Sequence, residues 1–86
     1  MKKQASPQFS AAILEAVDNQ LRDLYPPEAK ETYDRLIASG TSDKEARRLI
    51  AVALSSEMYR VLKDKKNYSP ERYIASLRKL PKLPWD

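Results

Sequence analysis

The chain contains one glycine, Gly40, in 86 residues. Tight hairpin turns need residues at positive φ, and glycine reaches them without steric cost. A hairpin-rich β fold would need several such turns, so the sequence points to helices separated by other breaks. Six prolines supply them. Each stands at a helix start or beyond a helix end, and none interrupts an apolar run.

The apolar periodicity gives four helices in turn. Ser6-Pro7 predicts the first start, with Ser as cap and Pro at the first helical position. Phe9, Ala12, Ile13, Ala16, Val17, Leu21 and Leu24 then recur at three- and four-residue spacing, a stripe ending near Leu24. Pro26-Pro27 stops that helix, and Pro27 opens the next with Glu28 and Glu31 in its first turns. Its predicted apolar stripe is Ala29, Tyr33, Leu36 and Ile37, and Gly40 ends it as a left-handed cap.

Ser42-Asp43-Lys44-Glu45 is a capping box: Ser42 accepts from the Glu45 N–H, and the Glu45 side chain reaches back. A helix to about Lys65 follows, on the order of 30 Å long at 1.5 Å per residue. Ala46, Leu49, Ile50, Ala53, Leu54, Met58 and Val61 share one broad arc, while Ala51, Val52 and Tyr59 are apolar elsewhere around it. A helix apolar on more than one side is packed by more than one neighbour, which predicts a central helix. Ser69-Pro70-Glu71 repeats the start signal, and Tyr73, Ile74, Leu77 and Leu80 make a short amphipathic helix.

The expected fold is therefore all-α: a small three- to four-helix bundle in a single domain, residues 1–86. Residues 1–5 are expected to form a flexible basic N-terminus. Residues 81–86 should form an extended Pro-rich tail that folds back through Leu83 and Trp85.

Composition excludes much chemistry. The chain has no Cys and no His. That removes disulfides, thiolate nucleophiles, zinc-finger spacings, triads with a His base and the Glu-x-x-His pairs of di-iron bundles. Ser55-Ser56 beside Lys63 does not share a face suited to a Ser–Lys dyad. The expectation is a protein that is not an enzyme and takes no cofactor and no metal. The longest apolar run, Leu49 to Leu54, is far short of the roughly 20 residues a bilayer span needs. A cytoplasmic protein without a membrane partner is expected.

Two constellations are candidates for function. Glu57 sits on the apolar arc of the long helix, where an isolated carboxylate is expensive. Arg60 is placed to pair with it along the helix, and Tyr33, Tyr68 or Tyr73 to donate from neighbours. It is read either as a structural hydrogen-bonded group or as the polar element of a small-molecule pocket, the sensor alternative. The second constellation is basic. Residues 43–86 carry 11 Lys and Arg against 6 Asp and Glu, and residues 1–42 carry 5 against 6. Thr32 to Leu49 resembles a helix-turn-helix with Gly40 in the turn, and Lys44, Arg47 and Arg48 would then face a major groove. Against nucleic acid stand the modest net charge of +4 and the apolar Ala51, Val52 and Tyr59 where a recognition helix is solvated.

Leu36 to Leu54 also looks like part of a ubiquitin-associated-type module, but the third helix is too long for it. The run Leu36 to Ala46, followed by Ile50, Glu57, Leu62, Tyr73 and Leu77-Arg78-Lys79-Leu80-Pro81, resembles a helical domain of small bacterial proteins of unknown function. The resemblance covers about residues 28–81. Some members of that group carry His where Lys44 and Arg48 stand here, so no metal or proton-transfer role carries over. It implies a helical fold and a role for Glu57, and no activity. The leading expectation is a non-enzymatic protein-interaction module whose partner is a protein, a second copy (homodimer) included. The first helix or the outer side of the long helix would be the interface.

Overall fold

The computed structural model describes residues 7–85, and the expectations for the N-terminal tail and for Ser6 as a cap lie outside the described residues. Within them the chain forms four helices and no strand: α1 (Pro7–Asp23), α2 (Pro27–Ala38), α3 (Asp43–Asp64) and α4 (Pro70–Lys79). The all-α bundle expected from the punctuation is the fold.

Each boundary has a local cause. α1 ends where Leu24 turns left-handed at φ 58° and Tyr25 returns its N–H to the Gln20 carbonyl at 3.1 Å. Pro26 precedes α2 without a side-chain cap. Gly40, at φ 99°, closes α2: its N–H reaches the Ile37 carbonyl at 3.0 Å, and the Thr41 N–H reaches Leu36 at 2.9 Å. Ser42 accepts the Glu45 N–H at 3.1 Å. The reciprocal half of the expected capping box is replaced, because the Glu45 carboxylate turns to Arg48 at 2.7 and 2.8 Å. α3 ends on a left-handed Lys65, and Ser69 caps α4 by accepting the Arg72 N–H at 3.2 Å.

α3 packs against α1, α2 and α4, as a central helix must. Val17, Ala29, Leu36, Ala46, Ile50, Ala53, Tyr73 and Leu77 are buried around it. Some stripe residues fall outside this core. On α2 the buried line is Ala29, Thr32 and Leu36, while Ile37, 100° further round than Leu36, is exposed. Phe9 and Leu24 are also exposed, Leu24 because it already lies past the helix end.

The C-terminal segment leaves the helix at Leu80 and returns through turns instead of a continuous extended run, with the Lys82 N–H bonded to the Lys79 carbonyl at 2.8 Å. Leu80 is buried and Leu83 packs against the core. Arg35 of α2 holds this exit in place. Its guanidinium donates to the Leu77 and Leu80 carbonyls at 3.0 and 2.7 Å, satisfying acceptors that a helix C-terminus leaves open. No helix among the described residues is long and apolar enough to cross a membrane.

Candidate functional site

Glu57 is buried, as its place on the apolar arc requires, and its side chain is 2% exposed. Oε2 accepts the backbone N–H of Ser69 at 3.0 Å and the Arg60 guanidinium at 3.3 Å. Arg72 approaches Oε1 at 3.7 Å. Arg60 is therefore the partner expected from helix spacing. Tyr33 and Tyr73 are not. The Tyr33 hydroxyl donates to Asp43 and the Tyr73 hydroxyl to Gln20 at 2.7 Å, each finding an acceptor on another helix. Burial, with the neighbouring Tyr68 second, pushes the Tyr73 hydroxyl well above its ordinary value, and the Gln20 bond works against that. Ser69 and Arg72 went unforeseen, since only the turn into α4 brings them to Glu57. The cluster is a structural tie between α3 and the start of α4, and Glu57 lines neither of the grooves described below.

The basic residues of the helix-turn-helix alternative are drawn into another network. Arg47 donates to Asp43 at 2.9 Å and to Asp18 of α1 at 2.5 Å, and its guanidinium lies 5.4 Å from the centre of the Tyr33 ring. Arg48 holds Glu45 through two bonds. The Tyr33 hydroxyl and then Arg47 keep the Asp43 carboxyl below its ordinary value, and Arg48 does the same for Glu45. Of the three cations proposed for a groove contact, Arg47 and Arg48 spend their charge on carboxylates of this chain, and Lys44 stays exposed.

An apolar opening lies on the outer face of α3. There α1 and α3 run antiparallel, with Asp18 at the Arg47 end and Ser10 opposite Tyr59. Between them is a groove of about 480 Å³. Ser10, Ile13 and Leu14 form the α1 wall, and Ala51, Val52, Ser55, Ser56 and Tyr59 form the floor. Arg48 marks one end, and Trp85 is brought alongside by the returning tail. Leu14, Tyr59 and Trp85 are 44%, 63% and 67% exposed, so these large apolar side chains face solvent in one place. Val52 and Tyr59 signalled a second apolar side of this helix in the sequence. Leu14 carried no such signal, because its place depends on how α1 crosses α3. Trp85, expected to fold back with Leu83, reaches only the groove and stays 67% exposed, whereas Leu83 packs on the core.

A smaller groove of about 270 Å³ lies between Tyr25, Pro26 and Pro27 on one side and Tyr68, Pro70 and Ile74 on the other. No group of three or more His, Cys, Asp and Glu side chains able to hold a metal ion occurs among the described residues. No family model, curated protein or solved structure matches the chain.

Proposed function

We propose that this protein is a non-enzymatic interaction module and that the α1–α3 groove is its docking surface, receiving an amphipathic helix from a protein partner. The observation that carries the proposal is the groove itself: a continuous apolar opening along the central helix, with Leu14, Tyr59 and Trp85 left in solvent. Contiguous exposed apolar surface rimmed by polar residues is characteristic of interaction sites. A helix suits it as occupant because Ala51, Ser55 and Ser56 are small, which lets a third helix settle between two others.

Trp85 is the only tryptophan and lines the groove, so its emission reports occupancy. The test is titration with a designed helical peptide of about 18 residues, five turns, carrying leucines at three- and four-residue spacing. Blue-shifted emission is expected, with amide shifts at residues 10–14 and 48–59. Silence in both, or shifts gathered elsewhere, would remove the groove as the docking surface. Sedimentation at hundreds of micromolar tests self-association: a dimer abolished by Leu14→Glu would make a second copy the natural occupant.

A further inference from the structure

We infer that the helix received by the α1–α3 groove is acidic, its apolar stripe bordered by Asp and Glu; this rests on the docking proposal above and names the partner's chemistry. The apolar stripe of α3 is continued by cations at both ends. Lys44 stands one turn before Arg48, and Lys63 one turn beyond Tyr59, its ammonium 5.8 Å from the centre of that ring. No carboxylate among the described residues pairs with Lys44 or Lys63.

The carboxylates near the Arg48 end are already engaged. Glu45 accepts two bonds from Arg48, Asp43 accepts from Tyr33 and Arg47, and Asp18 accepts from Arg47. Glu15 is exposed on α1 but lies 100° round from Leu14, away from the groove wall. At the other end Asp64 is exposed 100° round α3 from Lys63. Among the described residues, the charge left unpaired on the groove side of α3 is therefore positive, at two points about 28 Å apart. A helix of about five turns spans that distance, so one occupant meets both lysines. Acidic side chains flanking its leucines would find ammonium groups there, whereas basic ones would meet like charge, which is how rim charges select partners.

The experiment uses three helical peptides with the same leucine stripe and with Glu, Gln or Lys at the flanking positions. Their binding is read from Trp85 emission at low and near-physiological salt, on the full chain. The Glu peptide is expected to bind about tenfold more tightly than the Gln peptide at low salt, the size expected of a few exposed ion pairs, with the margin shrinking as salt rises. The Lys peptide is expected to bind most weakly. In the double variant Lys44→Glu, Lys63→Glu, whose changes are both on exposed side chains, the order of Glu and Lys peptides should invert while the Gln peptide binds as before. Equal binding of all three peptides would overturn the acidic preference and leave the groove standing. So would a preference that the double variant does not move. Binding by none of them would remove the groove as well.

Discussion

The Glu57 carboxylate closes the end of α3 onto the start of α4 by accepting the backbone N–H of Ser69 at 3.0 Å, twelve residues further along the chain. A buried carboxylate needs donors. Oε2 has them in the part-buried Ser69 N–H and in Arg60 at 3.3 Å, whereas Oε1 has no hydrogen bond and only the Arg72 guanidinium at 3.7 Å as countercharge.

Glu57→Ala is therefore expected to cost about 1–3 kcal/mol in urea denaturation, since it strands the Ser69 N–H and the partly buried Arg60. Glu57→Gln keeps an acceptor for Ser69 and should cost less. A loss of only a few tenths for the alanine variant would contradict the tie.

Two left-handed positions give effects of opposite sign. Lys65 carries a Cβ at φ 54°, and Gly40 carries none at φ 99°. A non-glycine residue in this region costs about 1–2 kcal/mol, and glycine's extra freedom in the unfolded chain offsets part of the gain. Lys65→Gly is expected to stabilise by about 0.5–1 kcal/mol. Gly40→Ala is expected to destabilise by about 1–2 kcal/mol, although nothing lies within 4 Å of the added Cβ, so the cost is conformational. Equilibrium unfolding of the two variants checks both signs.

The helices were legible because their punctuation is local: Ser69-Pro70, Pro26-Pro27, Gly40 and the Ser42 cap each act within a few residues. The burial of Glu57 was legible too, because a helical wheel fixes its angle relative to Ala53 and Leu54. Of its donors only Arg60, on the same helix, was; Ser69 and Arg72 were not. Periodicity says which face is inward but not which loop arrives there, and Tyr33 and Tyr73 find acceptors on helices whose crossing the pattern leaves open. Arg47 shows the same limit. Its cationic character is evident, but Asp18, which neutralises part of it, lies 29 residues earlier and meets it only because α1 crosses α3.

Arg35 caps α4 from another helix, and the sequence offers no hint of it. Removing the guanidinium leaves the Leu77 and Leu80 carbonyls without these donors. Arg35→Ala is expected to cost about 1–2 kcal/mol, as for hydrogen bonds from a charged group. Amide exchange should accelerate in the last turn of α4 before it does in α1. Uniform acceleration across all four helices would count against a local capping role.

Acid should weaken the Tyr33–Asp43–Arg47 and Glu45–Arg48 contacts. Asp43 is held below its ordinary 3.8 by Tyr33 and then Arg47, and Glu45 below its ordinary 4.5 by Arg48. In the acid range the unfolded chain takes up these protons first, so stability is retained above the ordinary values and lost as pH falls through them and below. These carboxylates are exposed, so salt should shrink the effect. The unfolding midpoint should stay level near neutrality and drop below about pH 4, with Asp43→Asn showing a shallower drop. An identical acid dependence in the variant would remove Asp43 from the account.

Leu14 separates folding from docking. It is 44% exposed on the α1 wall of the groove, beside the buried Ile13 and Val17, which carry the packing of α1. Leu14→Glu should therefore cost under about 1 kcal/mol of stability, in the range of surface substitutions. The same change places a carboxylate where the partner helix would bury a leucine, and burying an unpaired charge is far more expensive than losing one apolar contact. Binding of the Leu-striped peptide should fall at least about tenfold, and most for the Glu-flanked form, which then meets like charge. Unchanged peptide affinity in a fully folded Leu14→Glu protein would show that docking takes place away from the α1–α3 groove.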